Sequence, residues 1–308
     1  MSESKSNKTK KALAKKYQKK TDIEHILDAP DTYIGSIEPD EEENWLLNDN
    51  GKMEWNKYIW TAGFYKCFDE GIVNCRDHQI RLNEKIKNGK KKIIPVKNIE
   101  ITLDKETGVI TMYNDGNGID IAKHPEYKIW IPEMIFGHLR TGSNYDKSEK
   151  KIVGGKNGFG FKLVLIYSKW GQIETVDHIR KLKYVQRFEN NLGKICKPIV
   201  TKTTEKPYTK VSWLPDYKRF GMKGLTDDMF SLLKKRTLDI SAVTDKTVKV
   251  KFNGNVFPAK TFEQYVDLYI GTKTEKKRLY EVVNNRWEYA VTVSPLGEFS
   301  QISFVNGI

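Results

Sequence analysis

The chain has 308 residues, 38% of them hydrophobic, and a formal net charge of +13, enough for one large or two ordinary domains with real cores. No apolar run approaches 18 residues and the lysine-rich start lacks an apolar segment, which argues against a membrane span and a secretory signal. Cys67, Cys75 and Cys196 show no metal-type spacing and the five histidines do not cluster, so the expectation is unpaired thiols in a reducing compartment and no structural zinc.

Residues 1–20 hold eight lysines and one acid, Glu3, and supply +7 of the charge. They read as a basic disordered tail. The other +6 is spread over the body, a surplus that suits contact with a phosphate backbone without establishing it. Residues 21–36 predict a short helical piece followed by a Pro-Asp turn, and residues 40–43 an acidic surface loop. From about residue 58 to 87 the pattern is helical, with Phe64, Phe68, Ile72 and Cys75 recurring at three- and four-residue steps toward a core. Residues 97–103 and 109–113 alternate about a turn at Glu106-Thr107-Gly108, the pattern of a hairpin. Residues 132–139 predict a helix begun by proline. The polar, glycine-rich stretch 140–160 is long for a loop in a compact domain, as functional lids and disordered segments are. Strand patterns follow at 173–176, 183–188 and 209–214, then a helix at 225–238. Residues 248–252 with the turn Asn253-Gly254-Asn255 resemble a hairpin start. Residues 287–293 and 301–305 are again strand-like. There are no internal repeats.

Three segments carry the chemistry. Glu70 and Asn74 are four apart on one helix, so they share a face, and Asp77 and His78 extend that polar stripe. Hydrolysis of a γ-phosphate needs a group that orients or deprotonates water, and a metal bridging phosphate oxygens. A carboxylate suits the first task, and an amide oxygen is a hard ligand for magnesium. Asn114-Asp115-Gly116-Asn117-Gly118 follows a strand; its glycines allow a tight turn and close approach to a flat ligand. Gly155, Gly158 and Gly160 expose backbone amides that can cradle phosphates, with charge from Lys156 and Lys162 and a donor from Asn157. Neither Walker A nor dinucleotide-fold spacing is present. Each segment alone is also what an amphipathic helix, an Asx turn or a surface loop shows. The three in this order are specific.

Together they resemble the ATP site of the GHKL ATPases. Tyr17-Gln18-Lys19-Lys20-Thr21, Asp31-Thr32-Tyr33-Ile34-Gly35-Ser36, Ile135-Phe136-Gly137-His138-Leu139, Ser143-Asn144-Tyr145-Asp146 and Gln301-Ile302-Ser303-Phe304-Val305-Asn306 resemble eukaryotic-type topoisomerase II more narrowly. The resemblance covers about residues 17–308. It implies an α+β fold, a two-layer sandwich with a mixed, mostly antiparallel sheet and helices on one face. It implies a tail or arm over 1–20, a GHKL ATPase domain over 21–255, and the start of a transducer domain over 256–308, cut short.

By the same resemblance Glu70 is the general base, Asn74 the magnesium ligand, and Asn114 the contact to the adenine amine. His78, Gly118, Gly142, Ser143, Asn144, Gly155, Lys156, Asn157, Gly158, Phe159, Gly160 and Lys162 join the ATP site, and Tyr17 reaches the partner subunit's nucleotide. Some residues depart from the family's pattern: Lys156 stands for a usual arginine, Phe159 for tyrosine, Phe161 for alanine, Gly142 for serine, Gly71 for a large aliphatic and His78 for asparagine. They bear on phosphate affinity and hydrolysis rate. The implied partners are ATP, Mg2+, double-stranded DNA and a second copy of the chain joined through the amino-terminal arm, with no membrane. The DNA gate and the transducer's switch lysine are expected elsewhere than in these residues, so ATP binding with feeble hydrolysis is expected. Nuclear residence follows for a cellular eukaryote, and host cytoplasm, virus factory or virion for a virus. A truncated nucleotide-binding module, or a chaperone- or MutL-type clamp, is the alternative.

Overall fold

The computed structural model describes residues 13, 16–17, 19–48, 50–141, 159–257, 259–284 and 287–307. Helix α1 (Asp22–Asp28) starts at a capping box: the Glu24 N–H donates to the Thr21 hydroxyl, and the Thr21 N–H donates back to the Glu24 carboxylate at 2.8 Å. The Tyr167 hydroxyl fastens this helix to the core by donating to the Ile26 carbonyl at 2.6 Å. Pro30, expected in a turn, opens a single helical turn, α2 (Pro30–Tyr33), since proline is pre-set for the first helical position.

The acidic run predicted as a loop is a strand. β1 (Asp40–Leu47) pairs along its length with β2 (Met53–Trp60). Lys57 on β2 lies 3.1 Å from Glu41 and 3.6 Å from Glu43, and the buried end, Trp45 to Leu47, anchors the hairpin. The same pairing takes residues 58–60 from the helix expected to start there, so α3 runs from Ala62 to Lys87. Its apolar side is as the periodicity predicts: Phe64, Phe68, Ile72 and Cys75 are all buried. The helix ends where the Asn88 N–H meets the Glu84 carbonyl and Gly89 turns to φ 73°.

β3 (Asn98–Leu103) and β4 (Ile110–Asp115) form the predicted hairpin. They join β5 (Ser168–Asp177), β6 (Leu182–Glu189), β7 (Lys194–Ile195), β8 (Ile199–Lys202), β9 (Tyr208–Pro215), β10 (Lys249–Phe252) and β11 (Asn255–Val256) in one nine-stranded sheet. The order is β11-β10-β3-β4-β9-β5-β6-β7, with β8 also on β6. Among the described strands of this sheet only β10 and β3 run parallel, because helix α6 (Asp227–Ala242) carries the chain across between β9 and β10.

Burial alternates along β4: Ile110, Met112 and Asn114 are buried, Thr111, Tyr113 and Asp115 only partly. The buried side meets α3, α4 (Ile131–Gly137), α5 (Gly160–Ile166) and α6, which gives a two-layer α/β sandwich with a mostly antiparallel sheet. Trp213 on β9 and Phe136 on α4 both meet the Phe161 ring of α5 edge-on, at 5.4 Å between centroids.

Toward the end of the chain two elements stand that the sequence reading did not predict. Helix α7 (Phe262–Ile270) lies on α6, where the Tyr265 hydroxyl donates to Asp239 at 2.7 Å. Strand β12 (Leu279–Asn284) pairs with β13 (Trp287–Val291) in a separate hairpin. Residues 301–305, predicted as a strand, have no strand partner among the described residues; an alternating pattern needs a neighbour to take its hydrogen bonds. Just beyond them Arg76 donates to the Asn306 carbonyl at 2.7 Å. Arg236, paired with buried Asp69 at 2.7 Å, donates to the Gly307 carbonyl at 3.0 Å.

Candidate nucleotide site

Helix α3 presents Glu70 and Asn74 one turn apart. The Lys66 ammonium, one turn earlier, holds Glu70 Oε1 at 2.6 Å. Burial opposes that ammonium, but the hydrogen bond and charge of Glu70 outweigh it, and the Lys66 pKa lies above the ordinary lysine value. Asn74 Nδ2 donates to the Glu70 carbonyl at 2.6 Å, which turns its amide oxygen away from the helix backbone. Over this pair sits the start of α5. A Cβ at Gly160 would collide with Glu70 Oε2 and lie 3.8 Å from Asn74 Nδ2. Glycine is therefore what lets the end of the glycine-rich loop touch the carboxylate. Two residues on, Lys162 is 2% exposed and its ammonium donates to the Thr141 carbonyl. Burial pushes its pKa down to about 8.

The other wall is the end of β4. Asn114 is 5% exposed, with Nδ2 donating to the Asp115 carbonyl at 2.9 Å. It stands in register with Thr209 on β9, which is in register with Thr175 on β5, so all three lie in one cross-strand row on the helix-covered face. Its neighbour Asp115 is committed elsewhere: its carboxylate accepts from the N–H groups of Lys97 at 2.6 Å and Asn98 at 2.9 Å, and from Asn98 Nδ2 at 2.6 Å. Of the two, Asn114 faces the site and Asp115 closes the hairpin.

The loop after β4 is fixed from several sides. Gly116 takes φ 91°, and a Cβ at Gly118 would collide with the Val176 carbonyl oxygen. The Ile119 N–H donates to Thr175 Oγ1 and the Ile121 N–H to Asp177 Oδ2, each at 3.0 Å. His78 Nε2 meets the Asn117 carbonyl at 2.7 Å, and since a carbonyl only accepts, Nε2 carries the proton. Burial, helped by the charge of Arg81, lowers the His78 pKa to about 4, so the ring is neutral at pH 7. Asp77, expected on the polar stripe, is instead fully buried, and its charge acts on Arg76 and Arg81. A helical wheel cannot show what later elements cover.

The chain resembles known proteins at this site and well beyond it. No protein-family model matches it. It is 42% identical to DNA topoisomerase 2 of Acanthamoeba polyphaga mimivirus over 99% of its length, and 42% identical to DNA topoisomerase 2 of Arabidopsis thaliana over 97%. It spans 24% and 20% of those two proteins. The crystal structure of the ATPase region of Saccharomyces cerevisiae topoisomerase II superposes with a TM-score of 0.88 at 41% identity, covering 96% of this chain and 75% of that one. The chain belongs to the DNA topoisomerase II family. The ATPase and transducer domains of the Balamuthia mandrillaris enzyme agree, with a TM-score of 0.87, 37% identity and coverage of 96% and 72%. Within topoisomerase II, therefore, this chain corresponds to the ATPase region of a type IIA enzyme.

This topoisomerase II region brings Gly160 against Glu70 and Asn74, with Lys162 two residues on and bonded to Thr141, and joins His78, Gly118 and Asn114 through Asn117 and the Thr175–Thr209 row. Phe159 caps α5 and is partly buried. Gly142, Ser143, Asn144, Gly155, Lys156, Asn157 and Gly158 lie outside the described residues. Tyr17 is 70% exposed, with the Lys16 ammonium 5.4 Å from its ring centroid. Two site residues escaped the sequence reading. Lys66 could have been found from its four-residue spacing to Glu70. Thr175 had no local signal; only strand register brings its hydroxyl to the glycine loop.

No group of three or more His, Cys, Asp or Glu gathers among the described residues. A single amide oxygen beside a carboxylate fits magnesium, which binds protein through one or two groups and completes its shell with water and phosphate oxygens.

Proposed function

We propose that this chain is the ATP-binding and ATP-hydrolysing part of a type IIA topoisomerase, whose whole protein passes one DNA duplex through another. The observation that carries the reading is the contact of Gly160 with Glu70, with Asn74 beside it. It places a backbone that can cradle phosphates against a carboxylate that can orient water. In this reading the Asn114 side chain takes the adenine amine. The amides around Gly160 and the Lys162 ammonium take phosphate oxygens. Glu70, steadied by Lys66, accepts a proton from the attacking water. Asn74 would hold magnesium, which when bound would neutralise charge on the phosphate oxygens. Residues 256–308 open the transducer, and the arm containing Tyr17 reaches a second copy, so that nucleotide binding closes a DNA clamp.

Glu70→Gln tests the assignment, since the amide keeps the shape and loses the basic oxygen. Measured separately, ATP affinity is expected to stay within a few-fold and turnover to fall by about 10²–10⁴, the usual weight of a general base. Unchanged turnover would overturn the role of Glu70.

A further inference from the structure

A run of unpaired charge lies at the far end of α3. Five of the eight residues from Lys85 to Lys92 are lysine, all five exposed, and none forms an ion pair with a described acid. Lys85 and Lys87 sit in the last helical turn, where they complement the helix's negative end. Lys90, Lys91 and Lys92 lie beyond it and need another account. Their backbone is held: the Lys90 N–H donates to the Lys85 carbonyl at 3.0 Å, and Lys92 takes φ 62°, with its carbonyl 3.0 Å from His178 Nε2. That last contact brings in a second segment, the turn after β5, where Lys181 is exposed. A third joins through the Thr203 N–H, which donates to the Lys181 carbonyl at 3.0 Å, and through Lys202, which pairs with Leu182. Acids beside these segments are held by other cations: Asp120 and Asp177 hold Arg180, at 2.6 and 2.7 Å, and Glu205 holds Lys183 at 3.1 Å.

We infer that the face built from Lys90, Lys91, Lys92, Lys181 and Lys202 binds the phosphate backbone of duplex DNA. Three chain-distant segments, hydrogen-bonded to one another, present exposed lysines that form no ion pair among the described residues. A rigid surface of one sign attracts an extended polyanion, whereas a helix end alone calls for only the first two lysines. Lysines act as point charges here, so the contact is indifferent to sequence and weakens with salt. The inference rests on DNA being the partner of the whole protein.

The test compares three forms of the whole 308-residue chain: the parent, Lys90→Ala/Lys91→Ala/Lys202→Ala, and a control with the same charge loss, Lys218→Ala/Lys223→Ala/Lys246→Ala. Binding to a fluorescent 30-base-pair duplex is followed by anisotropy across a salt series. The basic tail contributes equally to all three. The slope of log affinity against log salt is expected to shrink by about 2.7 in the first variant, three contacts at about 0.9 each, and by less than about one in the control. Equal slopes in the two variants would overturn the inference. So would a first variant that keeps the control's DNA slope and loses binding to phosphatidylserine vesicles, which would make the face a membrane surface. ATP affinity, measured alongside, reports on the nucleotide reading independently: its absence in the parent would sink that reading and leave the slope comparison intact.

Discussion

Met112 occupies the space that a side chain at Gly71 would take, and the ring of Phe161 packs at its edge. A Cβ at Gly71 would lie 2.6 Å from Met112 Sδ and 3.4 Å from Phe161 Cε2. By the sequence resemblance, both positions are departures, from a large aliphatic at the first and from alanine at the second. The two positions meet across the α3–α5 contact with Met112 between them and the sheet, one residue from Glu70 on one side and one from Gly160 on the other.

The shared contact predicts strong coupling. Gly71→Ile alone overpacks the contact and is expected to cost about 1–3 kcal/mol, and Phe161→Ala alone opens a cavity worth about 3–5 kcal/mol. The double variant should be more stable than the sum of the two losses by at least about 1 kcal/mol, because the space left by the ring gives Met112 and the new side chain room to move. Urea unfolding of the four proteins measures it; additive losses would show that the two positions are independent.

Gly160→Ala should separate binding from turnover. The new methyl cannot share space with Glu70 Oε2, and the carboxylate sits at the end of a flexible side chain, so it moves while the fold stays. Turnover is expected to fall by about 10²-fold, the scale of a misplaced catalytic group, with a much smaller change in ATP affinity. Steady-state kinetics and a binding titration check this, and equal losses in both would point to a general defect of the loop.

Lys162 gives a pH dependence to nucleotide affinity. Burial favours its uncharged form, with a pKa of about 8, and phosphate needs the charged one. ATP affinity should therefore be flat below about pH 7 and fall as pH rises through 8, by up to about tenfold per unit. Lys162→Arg, charged throughout, should remove the fall. A titration at pH 7, 8 and 9 decides, and the same decline in the arginine variant would assign it to another group.

His78 gives one to stability. Its folded pKa, about 4, lies below the ordinary histidine value, so between the two the unfolded chain binds more protons. Its contribution is complete above about pH 6.5 and is lost as pH falls toward 4, at most about 3 kcal/mol. His78→Asn should flatten that part of the profile. Denaturant unfolding at pH 7, 5.5 and 4.5 measures it, and parallel profiles would show that acid acts elsewhere.

The sequence by itself determined the chemistry-bearing segments and much of the fold, because those signals are local. Glu70 and Asn74 share a face through helical spacing, Gly116 and Gly118 announce a tight loop, and alternation drew the β3–β4 hairpin. It misjudged residues 40–43, since four acids oppose a strand until Lys57 and the buried end of β1 compensate. It could not see that Asp115 is consumed by Asn98, that Asp77 is buried, or that Thr175 meets the glycine loop. Those facts depend on strand register and on elements tens of residues away. Tertiary structure alone decided that Gly160 rests on Glu70 and that Phe161 packs beside Gly71, because a contact between residues about 90 positions apart leaves no periodicity in the chain.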